Sequence, residues 1–245
     1  MIEVLNLDFA YEPDGGEVLW DINIEIKQGE FVAILGPNGS GKTTLIKHFN
    51  ALLVPSSGEV LIDGLDTRER RNQKKIRDIV SLVFQNPLDQ FIGLTAAEDL
   101  AVPLRIRGGS DENVSAKVRE TLEKFNLTRL KDKYPHNLSG GEQKLLTIAS
   151  SFVLDPKVIV LDEPTIMLDK GRREMIHSYV KALNKDQHKT VVAATTDPNE
   201  ANLADRVYVL NKGRVVAMGT PHKVFHNSKL LEEIGVGVPL NGKAK

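Results

Sequence analysis

The sequence predicts an α/β fold interrupted by a helical insert, and three observations carry that prediction. Continuous apolar runs at 31–35, 158–161 and 190–194 read as strands covered on both faces. Strict alternation at 21–27, and two short apolar runs around Asn211-Lys212-Gly213, read as half-buried antiparallel strands and a hairpin. Val114, Val118, Leu122 and Phe125 fall at i, i+4, i+8 and i+11, one face of a helix.

The elements follow in order. After the alternating strand, Gln28-Gly29 turns the chain into the buried run 31–35. A glycine-rich loop then opens a helix with Leu45, Phe49 and Leu52 or Leu53 on one stripe. Residues 60–62 and 80–84 read as further strands, and 86–150 as helices, two of them separated by Gly108-Gly109-Ser110. The αβ rhythm returns with a strand at 158–161, a helix at 172–183 and a strand at 190–194. The chain is read as a single domain over 1–245. Residues 1–85 and 151–245 form an α/β core with an antiparallel β subdomain, and 86–150 form an α-helical subdomain.

Composition excludes several classes. The 32 Lys and Arg against 33 Asp and Glu leave a net charge of −1, so no global basic field holds nucleic acid, and no nucleic-acid partner is expected. There is no cysteine, which removes disulfides, thiolate metal sites and cysteine nucleophiles. One of the longest apolar stretches, 145–154, is broken by Thr147, Ser150 and Ser151, and nothing approaches a membrane span. The start Met1-Ile2-Glu3 lacks a signal-peptide pattern. The expectation is a cytoplasmic protein without a membrane anchor of its own. The basic stretch from Arg68 to Arg77 reads as a solvated helix face, with lipid-headgroup contact as the alternative. His48, His136, His177, His188, His222 and His226 show no metal-ligand spacing and are read as surface residues.

Gly36-Pro37-Asn38-Gly39-Ser40-Gly41-Lys42-Thr43 fits G-x-x-x-x-G-K-[ST], and it lies between a buried strand and a helix, where phosphate binding needs it. The loop N–H groups and the helix N-terminus, through Thr44, would wrap phosphate oxygens. Lys42 would reach the β- and γ-phosphates of ATP, and the Thr43 hydroxyl would bind Mg²⁺. At the end of the strand 158–161 come Asp162, placed to hold Mg²⁺ through its water shell, and Glu163, placed to polarise an attacking water.

Leu138-Ser139-Gly140-Gly141-Glu142 precedes a helix read over 143–154, and Asp162 lies 20 residues beyond Glu142. This segment resembles the Leu-Ser-Gly-Gly-Gln signature of ABC ATPases, with Glu142 departing at the last position. The resemblance implies that Ser139, Gly140, Gly141 and Glu142 bind the γ-phosphate of ATP held by an opposite subunit. It extends along almost the whole chain. Phe9-Ala10-Tyr11 is similar to the family's adenine contact, with Tyr11 stacking on the base. Val83-Phe84-Gln85-Asn86-Pro87 is similar to the Q-loop, in which Gln85 would face Mg²⁺ and the attacking water. Ile166-Met167-Leu168-Asp169 is similar to the D-loop, whose Asp169 would cross a dimer interface; a helix N-cap is its other reading. Thr196 stands where the family carries its switch histidine. The departure implies intact ATP binding and slow hydrolysis at this chain's own site, either as a natural low-activity subunit or by deliberate substitution.

Finer similarity points to the energy-coupling factor (ECF) group, which includes cobalt-transport ATPase subunits. It lies in the segment 84–91, with Gln90 on a short helix, in Met167-Leu168-Asp169 and in the tail 219–225. The resemblance implies a peripheral subunit at the cytoplasmic face of the membrane, driving uptake of a vitamin or transition-metal ion. Its partners would be a second ABC ATPase subunit, in a heterodimer or else a homodimer, a membrane scaffold subunit and a substrate-binding membrane subunit. A DNA-associated ABC ATPase and an ATP-clamp module are the alternatives. Lys42 and Leu138 stand 96 positions apart, which leaves room for a compact helical insert but not for the long coiled coils of the DNA-associated class.

Overall fold

The structure is a computed structural model and describes residues 1–12, 15–166 and 168–239. In chain order its elements are β1 (Ile2–Phe9), β2 (Leu19–Ile26), β3 (Phe31–Leu35), α1 (Lys42–Phe49), β4 (Ser57–Ile62), β5 (Leu65–Asp66), α2 (Arg70–Ile79) and β6 (Val80–Val83). Next come α3 (Ala96–Ile106), α4 (Asp111–Lys124), α5 (Gly140–Phe152), β7 (Val158–Asp162), α6 (Lys170–Lys185) and β8 (Thr190–Thr195). The last are α7 (Pro198–Ala201), β9 (Arg206–Asn211), β10 (Arg214–Gly219), α8 (Pro221–His226) and α9 (Ser228–Glu233).

Two sheets organise the molecule. One is antiparallel, in the order β2-β1-β4-β5. The other runs β10-β9-β3-β8-β7-β6 and is parallel throughout except for the antiparallel edge strand β10. The apolar runs have a simple cause. Phe31, Ala33 and Leu35 of β3, Ile159 and Leu161 of β7, and Val191 and Ala193 of β8 enter one core, shared with the helices of the insert. Val32, Ile34, Val158, Val160, Val192 and Ala194 point the other way, into a second core beneath the antiparallel sheet and α1. With both faces buried, neither can be polar, so the strands lose their alternation. Tyr208 of β9 crosses the second core and donates its hydroxyl to the Glu25 carbonyl at 2.9 Å, tying the sheets together.

Three expectations are corrected. α1 ends at Phe49, and Ala51 turns the chain at φ 55°, so neither leucine lies on the helix: Leu52 is exposed, while Leu53 packs, partly buried, against the second core. α5 begins at Gly140, three residues earlier than read, because Glu142 folds back to close the first turn. The histidines are not all on the surface: His48 is wholly buried, and His177 is largely covered, with Nε2 3.7 Å from Glu200 Oε1. The short helix in the 84–91 segment is a 3₁₀ turn at Pro87–Asp89 that Gln90 caps. Gln90 accepts from the Phe84 N–H at 2.9 Å and donates to the Leu82 carbonyl at 3.2 Å.

Candidate active site

Parallel strands aligned in register deliver their ends to one edge. Leu35 pairs with Thr195 and Asp162 with Ala194, so the segments following β3, β7 and β8 emerge side by side. This carboxyl edge is where open α/β sheets hold their ligands.

The loop after β3 turns tightly. A Cβ on Gly36 would lie 2.1 Å from the Leu210 carbonyl oxygen, so only glycine passes β9 there. Gly41, at φ 102°, opens α1 without a side-chain cap, and the first turn of α1 carries no acid. Among the described residues, the N–H groups of Gly39, Gly41, Lys42 and Thr43 have no protein acceptor. Such donors, gathered at a helix N-terminus, suit a polyanion. Asn38 and Gly39 are exposed, while Ser40 is buried behind them. The Tyr11 hydroxyl lies 3.0 Å from Thr44 Oγ1, and its ring is 58% exposed beside the loop. Phe9 packs edge-on against Tyr11 and anchors it.

Lys42 is buried, with Nζ 2.8 Å from the Gly36 carbonyl, 3.2 Å from that of Pro37 and 3.4 Å from Glu163 Oε1. At that last distance the ammonium neutralises the carboxylate, but Oε1 gains no directed hydrogen bond. The other oxygen of Glu163 accepts from the Thr196 N–H at 3.1 Å and the Thr196 hydroxyl at 3.3 Å. Glu163 stands at φ 44°, an uncommon conformation held by its N–H bond to the Ala194 carbonyl at 2.8 Å. Burial raises its carboxyl above the ordinary range, against the pull of Lys42 and the Thr196 N–H. A carboxylate so shifted moves toward the proton affinity that a general base needs at neutral pH.

The Thr43 hydroxyl donates to Asp162 Oδ2 at 2.8 Å, while Asp162 Oδ1 is buried without a hydrogen-bond partner among the described residues. Burial raises the Asp162 carboxyl as well. A hydroxyl and a carboxylate with a spare buried oxygen form the sparse oxygen set that Mg²⁺ accepts alongside phosphate oxygens. Thr43, Asp162 and exposed Gln85 line one cavity of about 500 Å³, with Gly140 on its wall.

At the insert, the Glu142 carboxylate accepts from the Ser139 N–H at 3.0 Å and its hydroxyl at 2.7 Å, and these bonds lower its pKa. A Cβ on Gly141 would meet Arg172 Cδ at 2.4 Å. Arg172 lies 3.4 Å from Asp169, whose side chain caps α6 by accepting from the Arg172 N–H at 3.0 Å. The N-cap reading of Asp169 is therefore observed, and its carboxylate is still exposed. Met167 of the same motif lies outside the described residues.

A buried lysine escaped the sequence reading. Lys144 is 4% exposed and bonds the carbonyls of Phe84, Gln85 and Asp162 at 2.9, 3.0 and 3.3 Å. Burial lowers it to about 8. Its position beside the apolar pair Leu145 and Leu146 was the only hint.

Residues 19–166 match the model of the ABC transporter family. The chain belongs to the ABC transporter ATP-binding family. An energy-coupling factor transporter ATP-binding protein, EcfA1, of Clostridioides difficile (strain 630) is 39% identical over 98% of this chain and 87% of its own length. The protein of the same name from Caldanaerobacter subterraneus subsp. tengcongensis is 42% identical over 98% and 87%. Among solved structures, cbiO1 from Clostridium perfringens, described as part of the ABC transporter complex cbiONQ, superposes with a TM-score of 0.84. It is 34% identical over 96% of this chain and 94% of that one. The dimeric bacterial ABC transporter cassette MJ0796 gives 0.82 at 34% identity, over 90% and 99%. This ABC cassette binds ATP and couples its hydrolysis to transport.

Proposed function

We propose that this chain is the ATP-binding subunit of an ECF-type importer, and that its own site turns over slowly because Thr196 replaces the switch histidine. The observation carrying the reading is the convergence of Lys42, Glu163 and Thr196, with Thr43 and Asp162 beside them. Near full-length similarity to proteins named as energy-coupling factor ATPases supports the ECF assignment.

In this reading the triphosphate lies on the N–H groups of Gly39, Gly41, Lys42 and Thr43, with adenine against Tyr11. Lys42 leaves the Gly36 and Pro37 carbonyls for the phosphates, which have the stronger claim on an ammonium. Thr43, Gln85 and Asp162 would hold Mg²⁺, which would supply charge neutralisation for the phosphates. Glu163 orients water and takes its proton as the water oxygen bonds to the γ-phosphorus and the bond to the β–γ bridging oxygen breaks, leaving ADP and phosphate. Thr196 spends its hydroxyl on Glu163. It holds the base, but it carries no imidazole to reach the γ-phosphate. A missing donor of that kind costs about 10²–10³ in rate.

Ser139, Gly140, Gly141, Glu142 and Asp169 would complete the site of a second ABC subunit. The 86–150 segment is the helical subdomain that meets a membrane scaffold, itself joined to a substrate-binding membrane subunit. The complex would sit at the cytoplasmic face and import a vitamin or metal ion. Steady-state ATPase assays test the chemistry: Thr196→His should raise kcat at least about tenfold with little change in KM. An unchanged kcat defeats the role given to Thr196. Affinity capture from native membranes tests the assembly, which fails if no membrane scaffold co-purifies.

A further inference from the structure

Lys144 is a charge that the chain did not need for packing. It sits in the second turn of α5 among Leu145, Leu146 and Ile148, all buried, where a methionine of similar volume would pack without bringing an ammonium indoors. Among the described residues it has no ion-pair partner. Instead, its three N–H donors meet three backbone carbonyls. Those carbonyls belong to two segments. Phe84 and Gln85 follow β6, and Asp162 ends the neighbouring strand β7.

The third contact has the greater consequence. The Asp162 carbonyl is part of the peptide whose N–H belongs to Glu163. That N–H donates to the Ala194 carbonyl at 2.8 Å, and Glu163 itself stands at φ 44°. One peptide plane is thus gripped from both sides, by Lys144 on α5 and by Ala194 on β8. Its orientation sets where the Glu163 carboxylate points. The same ammonium also holds the backbone of exposed Gln85 at the wall of the cavity that Thr43 and Asp162 line. A helix whose first turn carries Ser139, Gly140 and Gly141 is therefore wired directly to the general-base position and to the Gln85 backbone.

We propose that Lys144 is a positioning residue: from α5 it holds the Gln85 backbone and the Asp162–Glu163 peptide in the geometry that hydrolysis requires. The inference rests on the reading of Glu163 as the base.

The test replaces the ammonium and then restores it. Because the chain has no cysteine, Lys144→Cys introduces a single thiol, which 2-bromoethylamine converts to an aminoethyl-cysteine carrying an ammonium at nearly the original reach. Fluorescent ATP-analogue titration and steady-state ATPase assays are run on full-length wild type, Lys144→Met, Lys144→Cys and its aminoethylated form. Nucleotide affinity should stay within about threefold, while kcat falls about 10–100-fold in both unmodified variants and returns on aminoethylation. Hydrogen exchange gives a readout independent of turnover. Amides of 82–90 should exchange at least about tenfold faster in Lys144→Met, with β3 unchanged. Undiminished kcat together with unchanged exchange at 82–90 overturns the proposal, and so does a loss of kcat that the restored ammonium does not reverse. If Lys144→Met does not fold, the Lys144→Cys pair decides by the same criteria. Glu163→Gln separates the two readings. If it is inactive while Lys144→Met is normal, this inference alone fails; if it hydrolyses ATP like wild type, the reading of Glu163 fails.

Discussion

His48 shows what burial does to a single residue. Its Nδ1 lies 2.9 Å from the Thr44 carbonyl, which assigns the proton to that nitrogen, and buried Nε2 has no hydrogen-bond partner among the described residues. Phe9 covers the ring edge-on. An imidazolium there would lose its water, so burial lowers the pKa from 6.5 to about 4. The sign follows from proton counting. Below pH 6.5 the unfolded chain takes up a proton that the folded chain refuses, so stability falls as pH drops toward 4, by about 3 kcal/mol in all. Above 6.5 the residue contributes no pH dependence. Thermal unfolding of His48→Gln should show a shallower acid slope between pH 6.5 and 4 than wild type. Parallel slopes would mean that the ring is solvated. Glu142 is a second case in which the residue's environment matters more than its type. As a carboxylate it accepts two bonds from Ser139, an arrangement that closes the first turn of α5 while occupying the hydroxyl.

At the scale of elements, the junctions carry the chemistry. β3 could not lead into α1 with a side chain at position 36, because β9 passes too close. Gly36→Ala would press a methyl against the Leu210 carbonyl, and backbone cannot give way as a flexible side chain can. We expect a loss of about 2 kcal/mol or more in denaturant unfolding, with weakened ATP affinity, since the β3–β9 spacing also sets the loop. Gly141 differs in kind. Its neighbour is the Arg172 side chain, so a methyl there would displace the Arg172 stem, whose guanidinium pairs with Asp169, before it strained any backbone. These element ends were readable in the sequence wherever a motif marked them, as at Gly36–Thr43 and Asp162-Glu163. They were misread where a helix end depended on a side chain folding back or on one left-handed residue, as at Glu142 and Ala51. Periodicity fixes a helix face but does not see where the chain turns away.

The whole molecule gathers the ends of β3, β7 and β8 at one edge of a sheet and leaves the carboxylate of Asp169 exposed. A similar cassette is dimeric in a solved structure. With Glu163→Gln, ATP should persist once bound. Sedimentation should then show the chain, alone or with its partner ATPase, moving from monomer to dimer on addition of ATP and Mg²⁺, and reverting when they are removed. Monomer at saturating ATP under both conditions would defeat the two-cassette reading. The structure also gives Glu200 a place that the sequence left blank. Buried beside Thr195, it accepts from the Thr195 hydroxyl at 2.6 Å and the Thr165 hydroxyl at 3.4 Å, and so joins the segments that follow β7 and β8.

The sequence by itself determined the α/β class, the phosphate loop, the acidic pair and the family. Each of these is written in consecutive residues, because a strand, a tight turn and a helix N-terminus are local in the chain. Only the tertiary structure decided that Lys42 meets Glu163, that Thr196 holds that same carboxylate, and that Lys144 reaches three carbonyls across two segments. Those contacts join residues up to 121 positions apart, Lys42 and Glu163 being the widest pair. Their cost or benefit depends on burial, which no single stretch of sequence records: the same lysine that a solvated helix would carry freely becomes, inside the fold, a fixed point for the site.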